Sequence, residues 1–392
     1  MTARDLGIAP RLLAWFDGHA RDLPWRREPS PYRTLVSELM LQQTVVATVV
    51  PYFQRFVARW PKVAALAAAR EDDVLAMWSG LGYYARARNL HRAARAVVER
   101  HGGALPADEQ ALAELPGVGP YTAAAVAAIA FGRRTFALDG NAARVVARLA
   151  GVEAPIDRPA TRTQLRVLGQ AWVPADRPGA FAEAVMELGA TVCTPRAPDC
   201  ARCPVAARCR AREMARTTEI PARSPRRARK VVRVACARIF REGRVLLVKQ
   251  RTGLLAGTWG LPARELPQDG ASASPARVLV STLHRLGVEP RSLILAGDVR
   301  HVFTHRDVTA TVFDATPAAD RAGRAAEADR RATDDDVRWV SPHELTTLAV
   351  SSFLRKLLQV PAASPPQGPS PARRPGRGSG RGSKGDKRLE SP

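Results

Sequence analysis

The sequence predicts a mainly α N-terminal domain built around a helix, a hairpin and a second helix, closed by a four-cysteine loop and followed by a domain that mixes strands and helices. Three observations predict it. From about residue 31 to 150, apolar residues recur at helical spacing between prolines, glycines and short polar turns, with no convincing strand alternation. Cysteines 193, 200, 203 and 209 form one tight group. From Val231 onward the pattern changes to apolar and polar residues alternating around turn residues. With 392 residues the chain has room for two or three domains.

Charge bounds the partners. The chain carries 60 Lys and Arg against 37 Asp and Glu, a net charge of +23 with a pI near 11.2. That excess favours a polyanion as partner without choosing among DNA, RNA and a membrane surface. No apolar run approaches a membrane span, and Met1-Thr2-Ala3-Arg4-Asp5 starts no hydrophobic signal core, so no membrane partner and a cytoplasmic location are expected.

Taken in order, Leu12, Leu13, Trp15 and Phe16 fall at helical spacing and lead into a Leu23-Pro24-Trp25-Arg26 corner. Leu35 to Thr44 is an apolar helical run interrupted by one acid, Glu38, whose pKa burial would raise. Arg86, Arg88, Arg92 and Arg95 decorate a further helix, on their own merely a solvated basic face. Leu112 and Leu115 close an amphipathic run, Pro116-Gly117-Val118-Gly119 breaks it, and Tyr121 to Phe131 restarts a helix rich in alanine. Gly117 and Gly119 allow turn dihedrals closed to other residues and leave backbone amides uncovered near a helix N-terminus, a site suited to phosphate. Asp139-Gly140-Asn141 precedes a new periodic run through Val145, Val146 and Leu149, so Asp139 stands where a helix begins. Alone it reads as an N-cap. Two further helices are expected between 160 and 192, and the two halves of the domain would sandwich a cleft.

A glycine hairpin, an alanine-rich helix and an Asp beyond them together resemble the helix-hairpin-helix superfamily of DNA glycosylases, the endonuclease III-like fold, in which this Asp is catalytic. Members that also cut the strand carry a lysine just after the hairpin, whose amine attacks the sugar. Here that position is Tyr121, and Lys62 is the only lysine before Lys230. Arginine cannot act as that nucleophile, so a water-using, monofunctional enzyme is expected. Ser37-Glu38-Leu39-Met40-Leu41-Gln42-Gln43-Thr44, with Gly80-Leu81-Gly82-Tyr83-Tyr84-Ala85-Arg86-Ala87-Arg88-Asn89-Leu90, narrows the resemblance to the adenine DNA glycosylases of the MutY family.

Glycosidic cleavage needs one carboxyl that gives a proton to the departing group and one that stays ionised beside the oxocarbenium-like sugar. The resemblance implies that Glu38 protonates adenine at N7 and handles the attacking water, while Asp139 stabilises the sugar cation or bonds to it transiently. Tyr121 and Asn141 would assist. Gln43 and Tyr83 match positions that wedge into the duplex while adenine is turned out of the stack. Arg26, beside Trp25, matches a residue facing the flipped base, and Glu183 matches a second acid near it. Without the family, the wedge and pocket residues would be read as core packing or solvated surface. The expected partner is double-stranded DNA with adenine opposite 8-oxoguanine or guanine, bound by a nucleoid-associated monomer. A thymine or oxidised-pyrimidine glycosylase on the same scaffold, and a non-catalytic lesion-binding module, are the rival readings.

The cysteines are spaced Cys193-x6-Cys200-x2-Cys203-x5-Cys209, which reads as thiolate ligation rather than a disulfide framework. Four thiolates suit zinc equally well. The unequal spacing resembles the [4Fe-4S] loop of endonuclease III and its adenine-removing relatives, and implies that cluster in a structural role. Arg196, Arg202, Arg208 and Arg210 around the loop suggest phosphate contact. Cys236 stands apart, as a buried strand residue.

The resulting domain plan is 1–192 for the helical domain, 193–209 for the cysteine loop, 210–230 for a basic linker, 231–360 for the second domain and 361–392 for a disordered basic tail. Val231 to Phe240 and Val245 to Gln250 should pair around Arg241-Glu242-Gly243-Arg244, with a helix at 275 to 286 and strands near 293 to 313. With Gly257-Thr258-Trp259-Gly260-Leu261-Pro262 and the Val337 to Pro342 segment, this resembles a Nudix, or MutT-like, α/β domain. A working Nudix hydrolase needs a glutamate-rich helix to hold magnesium. Between Glu265 and Glu289 the only other acid is Asp269, so this domain is expected to bind without hydrolysing. In the adenine glycosylases a Phe-Ser-His loop of this domain reads 8-oxoguanine; here the match is Phe303-Thr304-His305, where threonine keeps the hydroxyl and adds a methyl.

Overall fold

Caps and helix breakers set the N-terminal architecture. The computed structural model describes residues 7–225, 228–267, 274–318 and 336–363; Arg226 and Arg227 of the basic stretch, Asp269, and the tail from 364 lie outside the described residues. Helices α1 (Ile8–His19), α2 (Pro24–Arg27), α3 (Pro31–Leu41), α4 (Val46–Arg59), α5 (Val63–Ala67), α6 (Glu71–Met77), α7 (Ala85–His101), α8 (Glu109–Ala113), α9 (Pro120–Phe131), α10 (Gly140–Ala150), α11 (Pro159–Trp172) and α12 (Pro178–Thr191) follow one another. Ser30 opens α3 by accepting from the Arg33 amide at 3.2 Å, with Pro31 pre-set for the first turn. Pro120 opens α9, and Gly132 closes it in the left-handed conformation.

These helices bury two apolar cores. One gathers Leu35, Met40, Phe53, Phe56, Trp78, Leu90 and Val126; the other gathers Leu12, Phe136, Val146, Leu165, Phe181 and Leu188. Helix α9 lies between the halves, which explains its composition: Thr122 to Ala128 are all buried, so no face is left for a polar stripe. Small residues let its neighbour approach. A Cβ at Gly179 of α12 would come within 2.7 Å of the Ala128 carbonyl oxygen.

The hairpin before α9 is held by its glycine. Gly117 has φ +76, and a Cβ there would lie 2.4 Å from Cβ of Asn89 on α7. Gly117→Ala therefore meets both an unfavourable backbone region and a side chain it cannot pass, at a cost of about 2 kcal/mol or more. A lower denaturant midpoint and weaker duplex binding are expected; an unchanged midpoint would show that the hairpin tolerates a side chain.

Beyond the cysteines, α13 (Arg210–Glu213) and the chain to Ile220 return to the second core, where Ala211 and Ile220 are buried. The basic stretch thus begins as part of the N-terminal domain, because two apolar residues in it are enough to anchor it against α10.

The C-terminal domain is a mixed sheet covered on both faces. Strands β1 (Lys230–Arg241), β2 (Arg244–Lys249), β3 (Trp259–Gly260), β4 (Ala263–Glu265), β5 (Pro290–Val302), β6 (Arg306–Pro317) and β7 (Val337–Val340) are joined by α14 (Pro275–Arg285) and followed by α15 (Ser352–Leu358). The order is β3-β2-β1-β6-β5, with β4 on β1 and β7 on β2; β1 and β6 run parallel and the other pairs antiparallel. Alternation along β1 builds both layers: Ala235, Ala237 and Ile239 pack toward Leu279 and Leu283 of α14, while Cys236 packs with Leu354 and Leu357 of α15. The strands near 293 to 313 are a long β5-β6 hairpin whose turn is Phe303-Thr304-His305.

The two domains touch. Tyr84 Oη donates to the Val350 carbonyl at 2.7 Å, Ser79 Oγ to the same oxygen at 3.0 Å, and Lys249 Nζ meets both Asp72 carboxylate oxygens at 2.7 and 2.9 Å. Tyr83 Oη and Thr304 Oγ1 lie 2.7 Å apart, which brings the β5-β6 turn to the N-terminal domain. No helix among the described residues is long and apolar enough to cross a membrane.

Candidate active site

A cleft of about 850 Å³ opens between the two helical cores. Glu38 enters it from α3, Tyr121 from the first turn of α9, Asp139 and Asn141 from the start of α10, and Glu183 from α12. Glu38 is buried, and Tyr121 Oη donates to its Oε2. Burial, opposed by the Tyr121 bond, and then the like charges of Asp139 and Glu183 raise its pKa to about 7. A carboxyl in this state can carry a proton at neutral pH and release it to a leaving group.

Asp139 is the N-cap of α10: its Oδ1 accepts from the Ala142 amide at 2.6 Å. Burial raises its pKa as well, but the amides of Ala142 and Asn141 and the charges of Arg144 and Arg162 pull the other way, toward the carboxylate. Capping and a role beside a cationic sugar are therefore compatible, since one oxygen holds the helix while the carboxylate faces the cleft. Asn141 is aimed by Arg144, whose Nη2 donates to Asn141 Oδ1 at 2.8 Å and to the Gly189 carbonyl at 2.7 Å. Gly189 has to be glycine here, because a Cβ would come 2.7 Å from Cβ of Asn141.

Arg26 lies in the same cleft. Its Nε donates to Glu183 Oε1 at 2.8 Å and its Nη2 to Glu187 Oε2 at 3.1 Å. Glu187 is 1% exposed and also takes Arg21 Nε at 2.5 Å and Nη2 at 3.0 Å, and these guanidinium groups, outweighing burial, hold its pKa below the usual range. Glu187 and Arg21 escaped the sequence reading, although Glu187 falls one helical turn after Glu183 and so had to share its face.

Gln43 lines the cleft, while Tyr83 stands outside its lining on a separate turn. Both have left-handed backbones, φ 56 and φ 50, and Tyr83 is 44% exposed. Phe303, Thr304 and His305 are not in the cleft but face Tyr83 through the Thr304 contact. Gly117 and Gly119 stand at the hairpin, with Gly119 as the N-cap of α9.

The four cysteines, all half-buried, line a separate small cavity with the apolar Val145, Leu149, Leu188 and Val205, and none forms a disulfide. Arg148 Nη1 lies 3.3 Å from Cys193 Sγ and donates to the Thr194 carbonyl at 2.7 Å, so a buried cation faces the thiols. Cys236 is buried in β1 and takes no part.

Comparison with known proteins agrees with this geometry. A family model described as HhH-GPD superfamily base excision DNA repair protein matches residues 36–170, and a NUDIX domain model matches residues 234–360. The adenine DNA glycosylase of Homo sapiens is 35% identical over an alignment covering 89% of this chain and 73% of that protein. This chain belongs to the adenine DNA glycosylase family. It is accordingly a base excision repair hydrolase, a DNA N-glycosylase with a helical HhH-GPD domain and a Nudix-like domain. The Mycolicibacterium smegmatis adenine DNA glycosylase is 43% identical over 51% of this chain and 68% of its own length. The structure of a thermostable thymine-DNA glycosylase is 27% identical, with a TM-score of 0.49, over 54% of this chain and 97% of that one. For the thiol cavity, family membership suggests an iron-sulfur cluster.

Proposed function

We propose that this glycosylase removes adenine paired with 8-oxoguanine or guanine from double-stranded DNA by hydrolysis alone, leaving an abasic site. One observation carries the reading: a buried carboxyl poised near neutral pH, Glu38, and a second carboxylate at a helix N-terminus, Asp139, face one cleft that no lysine lines among the described residues. Glu38 protonates the base and then directs water; Asp139 stabilises the sugar cation; Tyr121 and Asn141 hold the two acids in register. Arg26 and Glu183 meet the flipped base, Gln43 and Tyr83 fill the space it leaves, and the amides near Gly117 and Gly119 grip phosphate. The Phe303-Thr304-His305 turn, held 2.7 Å from the Tyr83 hydroxyl, reads the opposite base.

Cys193, Cys200, Cys203 and Cys209 hold a [4Fe-4S] cluster. Its support is a cavity shared by four thiols, none of them in a disulfide, together with family membership. When bound, the cluster would tie Cys193, just after α12, to Cys200, Cys203 and Cys209, closing the loop beside α10; it would supply no step of the hydrolysis. The protein acts as a monomer on DNA, in the cytoplasm at the nucleoid, in keeping with its +23 charge.

The test uses labelled duplexes with adenine opposite 8-oxoguanine or guanine, in EDTA, analysed before and after hot alkali. Breaks appearing only after alkali are expected for both. Breaks without alkali, with protein trapped on DNA by borohydride, would mean amine attack; release of thymine or an oxidised pyrimidine in place of adenine would assign another substrate.

A further inference from the structure

Arg86 belongs to a helix whose arginines the sequence presents as a solvated face, yet it is 7% exposed. Its guanidinium lies between the two turns that carry Gln43 and Tyr83. From Nη1 it donates to the carbonyls of Leu39 at 2.9 Å, Met40 at 2.8 Å and Gln42; from Nη2 it donates to Thr44 Oγ1 at 3.1 Å and to the Gly82 and Leu81 carbonyls at 3.2 and 3.3 Å. The group also packs over the rings of Trp78 at 5.4 Å and Tyr83 at 5.3 Å. Burial lowers its pKa to about 10, still far enough above neutrality to keep it charged.

We propose that Arg86 is the positioning residue that fixes the two DNA wedges, Gln43 and Tyr83, in one geometry before DNA arrives. Both wedges occupy backbone conformations that non-glycine residues rarely adopt. Such turns persist only where their surroundings over-determine them, and here the Gln42 carbonyl and Thr44 hydroxyl on either side of Gln43, with the Leu81 and Gly82 carbonyls just before Tyr83, converge on one planar cation. A guanidinium can serve acceptors from two loops at once because its donors are fixed in a fork; an ammonium cannot reach the same set. Arg86 touches neither base nor sugar, and acts through the shape it imposes.

The inference rests on the reading of Gln43 and Tyr83 as wedges, and the experiment separates the two. Single-turnover excision is measured for wild type, Arg86→Lys, Gln43→Ala and Tyr83→Ala on two duplexes: adenine opposite 8-oxoguanine, and adenine opposite an abasic-site analogue, already unpaired and easier to extrude. Rates are normalised to active enzyme by burst amplitude, so misfolded protein does not count. Arg86→Lys is expected to slow excision at the 8-oxoguanine pair roughly tenfold or more, and at the unpaired adenine by less than about threefold, as both wedge variants do. Equal slowing on the two duplexes, or a change in burst amplitude alone, would reduce Arg86 to a structural role. If the wedge variants themselves slow both duplexes equally, the wedge reading fails first and takes this inference with it.

Discussion

Asp139→Asn is expected to lower the single-turnover excision rate about a thousandfold or more while leaving the melting temperature and the affinity for undamaged duplex nearly unchanged. Asparagine ranks with aspartate as an N-cap, so the bond from the Ala142 amide survives and α10 keeps its start. What disappears is the negative charge facing the cleft, and a neutral amide cannot hold a developing sugar cation. The substitution also removes a like charge that helps raise the Glu38 pKa, so the pH at which residual activity declines should move down. A variant retaining activity within about tenfold of wild type would leave Asp139 a helix cap and nothing more.

That pairing of roles shows why the sequence alone was ambiguous at Asp139. Cap and catalytic carboxylate use the same residue in the same backbone conformation, and only the cleft beyond it distinguishes them. The helical order, the hairpin and the strand-to-helix alternation of the second domain were legible, because each is written in local periodicity, prolines and glycines. Burial across the fold was not. Arg86 reads as one of several arginines along α7, yet it is the one turned inward, onto the turn just before its own helix and onto a second turn more than forty residues away. Glu187 likewise reads as an ordinary helical acid, and only the approach of α1–α2 residues Arg21 and Arg26 makes it part of the cleft. The β5-β6 turn was recognisable from Phe303-Thr304-His305, but its contact with Tyr83 joins residues from two domains, a long-range fact that no window of sequence contains.

Glu38→Gln is expected to abolish excision and to stabilise the protein above neutral pH, and the two effects have one cause. Folded Glu38 titrates near 7 against an ordinary value of 4.5, so the native state holds this proton more tightly than the unfolded chain does. The associated stability is fully present below about pH 4.5 and is lost as pH rises through 7. The complete loss amounts to up to about 3 kcal/mol for a carboxyl buried to this degree. Glutamine carries no ionisation to penalise, and its carbonyl can still accept from Tyr121 Oη. Denaturant midpoints of wild type and variant should therefore agree near pH 4.5 and separate by pH 8.5 in favour of the variant. Over the same interval the wild-type excision rate should fall through a midpoint near 7, because the protonated acid is the form that can assist departure of the base. If wild type and Glu38→Gln lose stability in parallel between pH 5 and 8.5, Glu38 does not carry its proton to neutrality, and another group must supply it. If they diverge as expected, the instability of this buried acid is the physical condition that makes it an acid at neutral pH, and a more stable cleft would be a less active one.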